Sequence, residues 1–374
     1  MNILKFIASI IFLFISYGGL SQVTALTSPP NGGNKKAMVG EVIGITAVNI
    51  YYDKPHVKGR EGKIYGTNVV HYGFKDLGFG TSNAAPWRAG ANENTTIDFS
   101  TDVFIDGKSL TAGKYGFFIA MYPDEAIIIF SKNSHSWGSF YYDANEDALR
   151  DTVKIIKTNN STEWLKYEFE NETDSSANVV LSWEKIKIPF TISVNFVNTQ
   201  IESYRKELRF TQGLSAKAWM KAAQFCVNHN TNLDEGLRWA DHAINANFIG
   251  EKTFESLSIK ASILEKLGRL PEAEKVMEKA LSLGDMVQIN QYGRLLIAKG
   301  KNEEALKVFQ INYRKHPNDF TTLEGMVRSS SASNNFKSAL KYAKLAMQQS
   351  VITDEQKKII EGMVRNLKEG KDVN

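Results

Sequence analysis

At 374 residues the chain is long for one domain, and 43% hydrophobic against 23% charged residues gives it enough apolar side chain for two or three cores. Its formal charge of +4 is spread along the sequence with no basic block, which excludes the electrostatic footprint of a nucleic-acid partner. A single cysteine, Cys226, excludes an internal disulfide.

The N-terminus carries an address. Lys5 precedes an apolar run from Phe6 to Ser16, and Gly19 and Ser21 supply small residues ahead of a cut before Gln22. This is the layout of a signal peptide over residues 1–21, with an apolar part too short to span a bilayer. The expectation is an exported bacterial protein, periplasmic or at the cell surface, with no transmembrane segment after the leader is removed. A folded domain of this size can do without disulfides because its core suffices.

Beyond a Pro-Pro-Asn-Gly-Gly linker at 29–33 the chain alternates with a period of two from about Met38 to Phe196, which marks residues 28–197 as a β domain. Tyr115, Phe117, Ile119 and Met121 fall on one face of a strand, as do Ala177, Val179, Leu181 and Trp183. Ile186, Ile188, Phe190, Ile192, Val194 and Phe196 form a third such set. Turn residues separate the runs at Asp106-Gly107, Ala112-Gly113 and Pro123-Asp124. Nine or ten short strands at this spacing imply an antiparallel β-sandwich with one wet face per sheet.

Within this half, "YYDKPHVKGREGKIYG", "PWRAGANENTTIDFS", "LTAGKYGFFI" and "WGSFYYD" occur in order. Together they resemble an exported bacterial family known as domain of unknown function 2911, with Lys54 standing where an arginine is more usual. The resemblance implies a fold and brings no activity with it, so the chemistry must be read from the residues. Trp87, Arg88, Asn92, Glu93 and Asn94 crowd the start of the strand carrying Ile97 and Phe99. In one reading Arg88 pairs with Glu93, the asparagines satisfy turn amides and Trp87 plugs the end of the sandwich. In the other they form a binding site for a glycan or peptide, to which Lys58 and Arg60 add cations.

From Asn198 the period becomes helical and the sequence repeats. Residues 198–214 read as a connecting helix, with Ile201, Tyr204 and Leu208 on its apolar face. Over 215–350, the anchors Gly236, Ala273, Ala305 and Ala339 each start a ladder at +3, +4, +7 and +8, and Asn312 alone among these rungs is polar. Five residues before each anchor lies a turn, at Thr231, Gly268, Gly300 and Asn334. This pattern resembles the tetratricopeptide repeat. It departs from that repeat in having Gly236 for the usual alanine. Residues 351–374 supply a capping helix and tail.

The fold expected is thus β then α: an antiparallel sandwich followed by an α-solenoid of tetratricopeptide-like helix pairs. Its concave face should dock a protein or peptide, with Lys217, Lys221, Lys260 and Arg294 as candidate contacts. No nucleophile elbow, phosphate-binding glycine loop or metal motif is present, and His56, His71 and His135 lack ligand spacing, so no cofactor or metal is expected. The function expected is a non-enzymatic interaction protein. The rival is an exported hydrolase of glycans or peptides using the Arg88/Glu93 cluster, with Asp98 or Asp124 as a second carboxyl.

Overall fold

The computed structural model describes residues 33–374, so the leader expected at 1–21 and most of the linker lie outside the described residues. The chain divides between Phe196 and Val197 into two compact units.

The first unit contains β1 (Lys35–Ile43), β2 (Thr46–Lys54), β3 (Thr95–Phe99), β4 (Val103–Ile105) and β5 (Lys108–Leu110). They are followed by β6 (Gly113–Met121), β7 (Glu125–Ser131), β8 (Asp147–Lys154), β9 (Ile156–Glu170) and β10 (Ser176–Ser193). These form a six-stranded sheet in the order β1-β2-β3-β6-β7-β8 and a four-stranded sheet in the order β5-β4-β10-β9, antiparallel throughout. Ile50, Ile97, Phe117 and Phe130 of the larger sheet share one core with Leu181, Trp183, Ile188 and Phe190 of the smaller.

The two alternating sets at 177–183 and 186–192 occupy odd and even positions, yet both lie in one long strand, β10. At Glu184 the backbone is left-handed, with φ of 51°, and the register with β9 breaks, the extra residues falling on β9; the break swaps the parity of β10 and keeps both sets facing the core. The expectation of one wet face per sheet fails at β6 and β7. There Phe118 and Ile129 point away from the main core and are buried under Phe74 and Tyr142 of two long loops.

The second unit is helical: α1 (Phe196–Glu207), α2 (Ala216–His229), α3 (Leu233–Asn245), α4 (Phe254–Lys266) and α5 (Leu270–Leu283). The rest are α6 (Met286–Ala298), α7 (Asn302–Lys315), α8 (Phe320–Ala332), α9 (Phe336–Met347) and α10 (Asp354–Lys368). Helices α2/α3, α4/α5, α6/α7 and α8/α9 are the four repeats. Each anchor is buried in the first turn of its second helix.

The first helices end alike, on a left-handed residue: Asn230, Gly268, Gly300 and Asn334. The next amide then reaches back five residues, as in Arg269 to Leu264 and Lys301 to Leu296, both 2.9 Å. In the first repeat the left-handed residue is Asn230 rather than Thr231: it comes one position earlier within a three-residue turn, and a second left-handed asparagine, Asn232, precedes the next helix.

Stacking between repeats is uneven. Helices α3 and α4 lie close together, as do α7 and α8, but α5 and α6 do not. Likewise α2 meets α4 and α6 meets α8, while α4 and α6 stand apart. Where stacking is tight it depends on small residues. The Phe309 ring lies between two helical glycines, so that a Cβ at Gly293 would sit 2.7 Å from it and one at Gly325 closer still.

Gly325→Val should therefore destabilise the helical unit by about 1–3 kcal/mol through overpacking. Adding Phe309→Leu should recover part of the loss. Thermal melts followed by helical circular dichroism check this, and a wild-type melt for Gly325→Val alone would contradict the packing.

Candidate functional site

The stretch that drew attention in the sequence closes the long connection between β2 and β3. Trp87 is buried and stacks on Trp183 with ring centroids 6.0 Å apart, and its Nε1 donates to the Gly90 carbonyl at 3.2 Å. The Ala89 carbonyl accepts from the Tyr167 hydroxyl at 2.8 Å and from Thr95 Oγ1 at 3.0 Å. The Ala91 amide donates to the Asp53 carbonyl at 3.2 Å. The loop is thus tied to β2, β3 and β9, and it forms a wall between two cavities.

On one side is an open cleft of about 590 Å³ on the outer face of the larger sheet, lined by Lys36, Tyr51, Asp53, Glu93, Asn94 and Lys114 among others. Lys36 and Asp53 are cross-strand partners in the β1–β2 hairpin. Lys36 Nζ lies 2.8 Å from Glu93 and 3.5 Å from Asp53. Asp53 is buried, and its Oδ1 has no hydrogen-bond partner among the described residues. Burial and the adjacent Glu93 carboxyl push the Asp53 carboxyl above the usual aspartate range, while the Lys36 ammonium holds Glu93 below the usual glutamate range. As pH falls, Asp53 is therefore the carboxyl of the two that takes up a proton first, and Glu93 is the one that keeps its charge longer. Asn94 anchors the cleft by donating through Nδ2 to the Asn133 carbonyl at 3.3 Å.

On the other side is a smaller cavity of about 300 Å³, lined by Arg60, Arg88, His71, Asn92, Ser139 and Trp183 among others. Arg88 does not pair with Glu93. Its Nη1 donates to the Asn92 carbonyl at 2.7 Å, and its guanidinium carbon lies 5.2 Å from the centre of the Phe140 ring. The left-handed backbone at Ala89 (φ 54°) and Asn92 (φ 56°) turns the two side chains to opposite sides of the wall, which short-range sequence proximity cannot reveal. Arg60 joins Arg88 at this cavity, donating to the carbonyls of Val57 (2.9 Å) and His56 (2.6 Å). Lys58, also left-handed at φ 54°, is exposed and lines neither cavity. Asp98 and Asp124 do not line the acidic cleft either; Asp53 is the second carboxyl. A signal for it was present, because Lys36 and Asp53 both fall on the outward parity of a hairpin turning at Gly44.

In the helical unit, the gap between the second and third repeats forms a groove of about 770 Å³. Leu270, Met277 and Leu281 of α5 contribute to one wall, and Tyr292, Leu295 and Leu296 of α6 to the other. Polar straps cross it. Lys301 Nζ bonds Glu265 at 2.6 Å, Gln288 Nε2 donates to Glu255 at 3.0 Å, and Lys315 Nζ reaches the Gly284 carbonyl at 2.8 Å. Of the candidate contacts, Lys217, Lys221 and Arg294 are exposed away from the groove and Lys260 is bonded to Asp241 at 2.5 Å, so none of the four lines it. Cys226 is buried among Ala222, Ala223 and Trp239, and burial pushes its thiol up to about 11. Such a thiol is a packing residue rather than a nucleophile.

Arg88 and Glu93 should behave independently. The cycle of Arg88→Ala and Glu93→Ala is expected to close to within about 0.5 kcal/mol, and a coupling several times larger would contradict the wall between them. In a carboxyl NMR titration Asp53 should titrate above, and Glu93 below, their ordinary values, and Lys36→Met should move Glu93 upward. A raised folded-state value means that stability falls as pH climbs from the ordinary aspartate range through the raised one, so Asp53→Asn should gain on the wild type above that window.

A search of curated proteins finds no match to the sequence. Among solved structures, YrrB, titled a TPR protein with an unusual peptide-binding site, is 20% identical, with 42% of this chain and 79% of that one covered at a TM-score of 0.27. MamA is 14% identical, with 44% and 91% covered at a TM-score of 0.29. Residues 34–192, within the β unit, match the model of the family described as "Protein of unknown function (DUF2911)".

Proposed function

We propose that this protein is an exported, non-enzymatic interaction protein, in which the β unit recognises a small polar ligand such as a glycan or peptide and the repeats dock a segment of another protein. The observation that supports docking is the groove between the second and third repeats. Its walls carry Leu270 and Leu295, each about half exposed, at a place where stacked repeats would normally bury them against each other. Gln224, Gln288 and Gln291 also line it, and an amide both donates and accepts, as the backbone of a bound segment requires. Export rests on the Lys5, Phe6–Ser16 and Gly19/Ser21 layout of the leader.

One observation favours a second reading. Asp53 and Glu93 bring two unlike carboxyls to an open cleft, the arrangement an acid–base hydrolase of glycans or peptides would use. That reading no longer draws on Arg88, which serves the other cavity.

Peptides selected by display on residues 22–374 should bind in the groove, and Leu270→Asp and Leu295→Asp should each weaken them at least roughly tenfold without changing the melt. Selected peptides indifferent to both substitutions would remove the docking reading. Turnover of chromogenic glycosides or peptides that is lost in Asp53→Asn would replace the non-enzymatic reading with the hydrolase. N-terminal sequencing of the protein from its own cells should begin at Gln22.

A further inference from the structure

We propose that the cavity of Arg60, Arg88 and Trp183 binds the oxyanion group, carboxylate or phosphate, of a small molecule. The inference rests on the reading of the β unit as a recognition module and is independent of the helical groove.

The charge there is unbalanced. No acidic residue lines the cavity, and among the described residues neither Arg60 nor Arg88 has a carboxylate within ion-pair distance. Residues 1–33 contain no aspartate or glutamate, so the chain leading into the domain cannot supply a counterion. Two guanidinium groups sharing a concave site without an anion are an incomplete arrangement.

The donors are held ready for an acceptor. Arg88 is fixed by the Asn92 carbonyl, by the Phe140 ring and by Gly138, where a Cβ would come within 2.6 Å of the guanidinium carbon. Among the described residues only its Nη1 has a hydrogen-bond partner, which leaves Nε and Nη2 to bond something else. Arg60 uses Nε and Nη2 on carbonyls and keeps Nη1. Trp183 adds the independent observation: its side chain is 1% exposed, it lines the cavity, and its buried Nε1–H has no partner among the described residues. A buried indole N–H without an acceptor loses its hydration uncompensated, and such groups in native proteins are rare. A water would satisfy the indole and leave both cations uncompensated, whereas an oxyanion answers all three. Guanidinium forks match the paired oxygens of carboxylate and phosphate. The volume of about 300 Å³ restricts the ligand to a small molecule.

The wall also sorts charge. Glu93, which would repel an anion, is turned into the acidic cleft and neutralised there by Lys36. The cavity that holds the arginines is left wholly cationic and neutral in its lining.

The test uses residues 22–374 with inorganic phosphate in one arm and acetate or succinate in the other. The readouts are calorimetry and the indole N–H resonance of Trp183. One arm should bind with a dissociation constant below about 1 mM and shift that resonance, and whichever arm does so identifies the oxyanion. Arg88→Gln and Arg60→Gln should each weaken binding at least roughly tenfold. Arg60 sits in an exposed turn, so its variant keeps the test decisive if Arg88→Gln fails to fold. Peptide binding in the helical groove should be unchanged in Arg60→Gln, which separates failure here from failure of the docking reading. No shift of the Trp183 resonance in either arm at about 10 mM, or binding indifferent to Arg60→Gln, would overturn the proposal.

Discussion

The carbonyl of Ala89 holds the β unit's chemistry in place. It is buried between the two sheets and accepts from Tyr167 of β9 and from Thr95 of β3. A carbonyl in that position cannot be left unsatisfied, and two donors from different sheets fix it in both directions. The loop between Trp87 and Asn94 is consequently a wall of defined position. Stacking of Trp87 on Trp183 and the bond from Ala91 to Asp53 prevent it from tilting. Left-handed backbone at Ala89 and Asn92 is a strain that only such over-determined surroundings sustain.

Because the wall is fixed, neighbouring residues in sequence serve different electrostatic environments. Glu93 faces Lys36 and Asp53, where the Lys36 ammonium lowers one carboxyl and burial raises the other. Arg88 faces Arg60, His71 and Trp183, where donors accumulate without an acceptor and burial holds His71 below the usual histidine range. Had Arg88 and Glu93 bonded each other, both cavities would have lost their defining group and the motif would be structural cement.

The helical unit shows a similar economy. Four helices end on the same left-handed cap, the first turn adding a second left-handed residue, and small anchors let the helices of each pair close up. Elsewhere that closeness extends from one repeat to the next, with Phe309 seated between Gly293 and Gly325. Between the second and third repeats the contact is carried instead by Phe254, Leu281 and Ile289 beside Gly284, and by the polar straps of Lys301, Gln288 and Lys315. Apolar side chains there line an open groove, and a charged strap such as Lys301–Glu265, near half exposed, is worth under about 1 kcal/mol.

The sequence by itself determined whatever depends on periodicity and local backbone preference. The alternation of Tyr115 to Met121 and the ladders from Ala305 and Ala339 are properties of strand and helix geometry, so both fold halves and the repeat register were legible. Even the break at Glu184 was written in the parity change between Trp183 and Ile186. The partners of charged side chains were not legible, because they depend on which residues distant in the chain arrive at a surface. Lys36 took Glu93 from Arg88 across a separation of 57 residues, and Lys260 was occupied by Asp241. Trp183 read only as a core residue, since pattern assigns a side chain to the inside but says nothing of its one polar atom. Whether that N–H meets an acceptor is decided by the shape of the folded interior, and so only the tertiary structure showed the cavity.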